Sequence, residues 1–230
     1  MKKPSRMNFV KIRDQYAQRG VKGVRLTQSS LFLTQLIDPT KTSYTFDILE
    51  SQNASLLPDE IRLNINDEFI ATHMGIYLYG DISSNVQAPK DLSPQLITYA
   101  PTEMNLAVVS LKNLYSGQLK VAVNNIVYLE KWDTRKHEVV PRTQMASFIA
   151  GVPVATTPSL DYEHDAMSSL EPMLTFSGAK KNDITLNMPK AMTGANVIWV
   201  NQSGESVKWN LNRIALRFFG LNAQNASKFQ

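Results

Sequence analysis

Cysteine is absent from this chain of 230 residues, and with it go disulfides, thiolate metal sites and thiol nucleophiles. Histidine is scarce: His73, His137 and His164 stand far apart, and none has a zinc-type spacing to another ligand. Each reads as a polar residue satisfied within the fold. No apolar run approaches the ~20 residues that span a bilayer, and the N-terminus lacks the continuous apolar stretch of a signal peptide. The expectation is a soluble protein made in a cytoplasm, where the sequons at Asn53, Asn201 and Asn225 are accidental. Sustained helical periodicity is rare as well. A parallel α/β fold needs a helix after nearly every strand, so that class is disfavoured.

Charge is present but unevenly placed. Lys2, Lys3, Arg6, Lys11, Arg13, Arg19, Lys22 and Arg25 face Asp14 alone, so residues 1–25 carry +7. The sixteen basic and nineteen acidic groups of the remainder give −3. A basic leader on a near-neutral body is a common means of contacting nucleic acid or an anionic membrane, and also of keeping a tail solvated. Within it, Phe9, Ile12 and Tyr16 share one side of a short helix over 8–19, which Gly20 and Gly23 break.

From Val24 the period changes to two. Strands are expected over Val24–Ile37 with a bulge at Ser29-Ser30, then Thr42–Leu49, Ile61–Ile65 and Phe69–Tyr79. An exposed loop follows over 81–94, then a short strand, Leu96–Tyr99. The next stretch organises the chain. Met104, Val108, Leu111, Leu114 and Tyr115 recur at helical spacing between Thr102 and Gly117, which cap the segment. Gln118–Val123 and Ile126–Trp132 then flank Asn124-Asn125, and Asn accepts the positive φ of a two-residue hairpin turn. That turn places Val123 opposite Ile126, Ala122 opposite Val127 and Val121 opposite Tyr128. Both faces are then apolar, which predicts a central hairpin covered on both sides. Further strands are expected over His137–Val140, Met173–Phe176, Ile184–Met188, Val197–Asn201 and Val207–Phe219. A long irregular loop fills 141–170, and a polar tail anchored by Leu221 and Phe229 follows Gly220.

The fold this predicts is mainly β: an all-β sandwich of about a dozen strands with one clear helix between its two halves. Its divisions are a basic arm, 1–23, and a body, 24–230, whose halves 24–101 and 118–230 are joined by the helix 102–116.

No catalytic signature accompanies this pattern. Asp161, Glu163, His164, Asp165 and Glu171 form the richest acidic cluster, but the glycine that an EF-type calcium loop requires is missing. Ser177-Gly178-Ala179-Lys180-Lys181 lacks the paired glycines and the Lys-Ser/Thr ending of a phosphate loop, and reads as a hairpin connection. Asp67, Glu68, Asp133 and Asp183 would need a cleft to work as acid–base pairs. Trp132, Trp199 and Trp209 sit at strand spacing, where aromatics are more often core than sugar platforms. The expectation is a protein that is not an enzyme and carries no cofactor or metal.

The order of features resembles jelly-roll capsid proteins of tailless bacterial viruses. It rests on the basic leader Lys2 to Arg25, two strand-rich halves joined through Thr102 to Gly117, and long loops at 81–94 and 141–170. The run LTFSGAKKNDITL from Leu174 to Leu186 and RIALRFF from Arg213 to Phe219 have the texture of such structural proteins. The resemblance implies a jelly-roll-like β-sandwich with one central helix, the alternative being a compact double jelly roll. It further implies a virion structural protein that self-assembles with its own copies and other virion proteins, located in the virion with the basic residues facing nucleic acid or an internal membrane. The competing expectation is a carbohydrate- or receptor-binding β-sandwich of a fibre or adhesin.

Overall fold

The structure, a computed structural model, describes residues 6–21, 24–50, 60–80, 95–98, 111–139, 147–149, 152–154, 166–192, 195–200 and 206–226. Helix α1 (Arg6–Gln18) leads into β1 (Arg25–Leu36), β2 (Ser43–Phe46), β3 (Glu68–Gly80) and β4 (Gln95–Ile97). Residues 111–115 are helical and precede β5 (Gln118–Val123) and β6 (Ile126–Asp133). The second half holds β7 (Ser147–Ile149), β8 (Val152–Val154), β9 (Ser168–Ser177), β10 (Asn182–Asn187), β11 (Ala195–Val200) and β12 (Ser206–Gln224).

The pairing is nested about one turn. Asn124 and Asn125 take φ of 51° and 64°, closing β5 onto β6. Outward from that turn β3 pairs with β9, β2 with β10 and β1 with β12, all antiparallel. The chain is thus one long folded hairpin wrapped into two sheets, ordered β1-β12-β3-β9 and β2-β10-β5-β6. That is a single eight-strand jelly roll. The remaining segments add to it: β11 extends the β1 side of β12, β4 extends the β9 side of β3, and β7 pairs with β8.

Alternation then fills the space between the sheets. Leu31 and Leu33, Ile214, Leu216 and Phe218, and Leu174 and Phe176 point inward from the first sheet. They meet Tyr44, Phe46, Leu119, Val121, Val123, Ile184 and Leu186 from the second. On β3 the inward positions change parity, from Phe69 and Ala71 to Met74, Ile76 and Leu78. The cause is a bulge: Gly220 pairs with Ala71 and Phe219 with His73, which leaves Thr72 as an extra residue. Residues 111–115 supply Leu111, Leu114 and Tyr115 to the same core, and the Tyr115 hydroxyl donates to the Ile76 carbonyl at 2.9 Å.

The outer face of the first sheet is also apolar and is covered. At one end α1 lays Ile12 and Tyr16, followed by Val21, over Ile70, Leu221, Ala223 and Ala226. At the other, Ala166, with Val139 and Met167 beside it, shields Phe32, Tyr77, Tyr79 and Ala215. The outer face of the second sheet carries Ser43, Thr45, Lys120 and Thr185 and meets solvent.

Several sequence expectations are corrected by these contacts. The hairpin is not central: β6 is the edge of its sheet, since β5 pairs with β10 on its other side. Val121 faces Leu129 instead of Tyr128, because the ladder shifts between Val121 and Ala122. Ile61–Ile65 forms isolated bridges, Phe32 to Ile61 and Leu49 to Leu63, in place of a strand. Thr134–His137 is a 3₁₀ turn capped by the Asp133 carboxylate, which displaces the strand expected from His137. Strand β1 pairs without interruption through Ser29-Ser30. The residues after Gly220 continue β12 to Gln224, because Leu221 and Ala223 are needed beneath α1. The loop 81–94, most of the helix 102–116 and most of the loop 141–170 lie outside the described residues.

Candidate assembly surfaces

The basic residues of the leader do not form one group. Lys2, Lys3 and Lys22 lie outside the described residues, and Arg6 opens α1. Lys11 and Arg13 are exposed on the helix, and Arg13 lies 3.8 Å from Asp14. Arg19 turns back toward the body, 3.7 Å from the Glu68 carboxylate and 5.6 Å above the Tyr16 ring. Arg25 is exposed at the start of β1. Glu68 is buried, and the Tyr16 hydroxyl donates to it at 2.6 Å. Burial first, and then that carboxylate, hold the Tyr16 phenol well above its ordinary pKa. Within the leader, Ile12, Tyr16 and Val21 dock on the body through a buried face.

The edges of the roll differ in how they are finished. Along β1, the Phe32 amide and carbonyl bond to Ile61 at 2.8 and 3.0 Å, so this edge is partly covered. Strand β6 has no second strand partner among the described residues, and every one of its residues is exposed or half-exposed. Ile126 is 60% exposed, Val127 45% and Tyr128 42%. Successive strand side chains point to opposite faces, so three exposed in a row place both faces of the tip in water. The eight residues of β6 oppose six of β5, leaving irregularities on either side of Val121. Such bulges twist an edge away from the flat template that strand addition requires.

Two further exposed apolar side chains stand apart from each other along β1. Leu36, 55% exposed, ends β1, and Ile61, 46% exposed, is bridged to its middle. A polar network runs beside them. Thr34 contacts Glu60 through both its amide and its hydroxyl, and Arg213 donates to the Thr34 hydroxyl at 3.1 Å. Arg62 approaches the other Glu60 oxygen at 3.4 Å, while its Nε and Nη1 are buried without an acceptor among the described residues. Orphaned donors of this kind are ordinarily met by water.

His137 is buried with both ring nitrogens engaged. Trp132 Nε1 donates to Nε2 at 2.9 Å, so Nδ1 carries the proton and donates to the Ala166 carbonyl, also at 2.9 Å. Burial, aided by the Lys136 charge and opposed by the Ala166 carbonyl, pushes its pKa from 6.5 down to about 4. The unfolded chain takes up this proton near pH 6.5 and the folded one does not. The stabilisation is therefore complete above pH 6.5 and is lost as pH falls to 4, about 3 kcal/mol in all. Urea unfolding at pH 7, 5.5 and 4.5 should follow that decline, with the His137 ring signals of the folded protein unchanged through pH 6. A folded-state titration near 6.5 would contradict it. Lys136 stands 4.1 Å over the Trp132 ring, so that indole is engaged at its face and its nitrogen. His73 is half-buried beside Thr72, and desolvation lowers its pKa.

The candidate carboxylates serve separate local contacts. Asp67 accepts from Asn222 and the Asn225 amide, Glu68 from Tyr16, Asp133 caps the 3₁₀ turn, and Asp183 meets Lys181 at 3.0 Å. Among the described residues no three His, Asp or Glu side chains converge in a metal-binding group. Glu171 is exposed on β9, while 161–165, His164 included, lie outside the described residues, as do the side chains of Trp199 and Trp209. The turn Ser177–Lys181 is held by Asn182, whose amide donates to the Ser177 and Lys180 carbonyls. The exposed tip of β6 had no sequence signal of its own, since Ile-Val-Tyr reads as core. Comparison of the chain with protein-family models, curated proteins and solved structures finds no match.

Proposed function

We propose that this chain is a virion structural protein whose copies assemble into a capsid shell. The observation that carries the reading is the placement of large apolar side chains in water on the edges of a completed roll. A folded core is already supplied between the sheets, and Ile126, Val127, Tyr128, Leu36 and Ile61 stand outside it, each about half exposed. Contiguous exposed apolar residues on a stable domain mark contact sites. A domain with such sites on its edges is suited to tiling. Fold alone does not decide this, since jelly rolls also serve lectins and enzymes.

Lys2, Lys3, Arg6, Lys11 and Arg13 then supply the cations that meet phosphate groups inside the shell, of nucleic acid or of an anionic membrane. Arg19 contributes less, because it is partly spent on Glu68. Light scattering after size exclusion, followed by electron microscopy, should find large symmetric particles near neutral pH. A chain that stays monomeric across concentration and salt would refute the reading. Replacing those five cations with Gln should weaken binding to a nucleic acid or an anionic vesicle and flatten its dependence on salt. Binding that is unchanged would remove that role from the leader.

A further inference from the structure

We propose that the solvent-facing flank of α1 is a bilayer-binding surface, and that the leader's partner is an anionic lipid membrane. The inference rests on the leader's role of meeting phosphates and names whose phosphates they are. Arg6, Phe9, Val10, Arg13 and Ala17 follow the three- and four-residue spacing that puts positions on one side of a helix. The docked side, with Ile12 and Tyr16, is a different one. Phe9 and Val10 are each 39% exposed, and Arg13 and Ala17 are exposed on the same side. Two large apolar side chains thus stand in water between two arginine positions, with Lys11 exposed next along the chain.

Charge and the apolar pair together select the occupant. Residues 1–13 hold Lys2, Lys3, Arg6, Lys11 and Arg13 and no acid, so the leader is drawn to an anionic surface. The backbone of a nucleic acid is bound by cations alone, and its phosphates offer nothing to Phe9 or Val10. A bilayer surface uses both kinds of side chain: the cations meet headgroup phosphates while the apolar groups enter the acyl boundary. Docking strengthens the contact. A free interfacial peptide must fold as it binds, which weakens its binding, whereas α1 is already held as a helix by Ile12, Tyr16 and Val21 and presents this flank ordered.

The test compares the full chain with a Phe9→Ala, Val10→Ala variant, which keeps every cation and a high helix preference. The probes are vesicles of equal parts phosphatidylglycerol and phosphatidylcholine, vesicles of phosphatidylcholine alone, and a DNA duplex. The parent should bind the anionic vesicles and bind the neutral ones far more weakly. The variant should bind the anionic vesicles at least about tenfold more weakly than the parent, yet bind the duplex equally well. Neither residue belongs to a buried cluster, so its urea midpoint should match the parent's. Phe9→Trp gives a second reading that does not depend on that match: anionic vesicles should shift its added emission to the blue, and brominated lipid should quench it. Equal vesicle binding by parent and variant overturns the inference, as does a parent that binds the duplex but not the vesicles, or an indole at position 9 whose emission does not move. In each case a parent that still forms particles keeps the shell reading. A parent that binds vesicles in this way but stays monomeric supports the membrane surface and overturns the shell.

Discussion

Deleting residues 1–21 should lower the stability of the protein by at least about 3 kcal/mol and promote aggregation, with the deletion of residues 1–5, which spares α1, as the comparison. The difference lies in α1. Ile12, Tyr16 and Val21 are buried against Ile70, Leu221, Ala223 and Ala226, and the longer deletion returns both sides of that contact to water. Each such side chain contributes about 1.5–3 kcal/mol, part of which offsets the ordering of a helix too short to stand alone. Glu68 adds little to this loss, since removing the helix also lets water reach its carboxylate. Tyr16→Phe separates the effects: it keeps the helix docked but removes the 2.6 Å hydrogen bond, at about 1–3 kcal/mol. Urea midpoints of the three variants should fall in the order 1–5 deletion, Tyr16→Phe, 1–21 deletion. Equal midpoints for the two deletions would mean that α1 does not hold to the sheet in solution. The result also bears on the leader's role, because cations rooted in a docked helix are delivered at one fixed place on the body.

A larger loss is expected from a single methyl group. Gly220 sits on β12 opposite Ala71, beside the bulge at Thr72. A Cβ there would overlap the Ile70 carbonyl oxygen and lie 2.8 Å from its carbon and 3.0 Å from the Ala71 Cα. All three atoms are backbone of β3, a strand paired on both sides, so no side chain can turn away to relieve the overlap. Gly220→Ala should cost about 4 kcal/mol or more, or leave little soluble protein. Gly20→Ala is the control. That residue has a φ of +74° and no atom near its Cβ position, so its cost is the backbone conformation alone, about 1–2 kcal/mol. A Gly220→Ala protein with an unfolding midpoint close to the parent would show that the two central strands do not approach as described.

The sequence resolved those features that depend on neighbours along the chain. Asn124-Asn125 marked the hairpin turn, and the first two cross-strand pairs follow from it. The third pair failed because a one-residue bulge leaves no trace in an alternating pattern. The β12 strand was read five residues short, since Asn222 and Gln224 look like a tail unless one knows that Leu221 and Ala223 lie under α1. The candidate assembly surface was misread most. Ile126, Val127 and Tyr128 are chemically core residues, and what leaves them in water is the position of β6 at the end of its sheet.

Taken alone, the order of residues determined the strand-rich body, the turn at its centre and the basic leader. Alternation, turn chemistry and charge are local properties, and they survive being read one window at a time. The tertiary structure decided which strands became edges, that the leader's helix is docked, and that Ile126, Val127 and Tyr128 stand half in water. Those outcomes depend on pairs such as Arg25 with Gln224, joined only when the whole hairpin is rolled up, and no short stretch of sequence contains both partners.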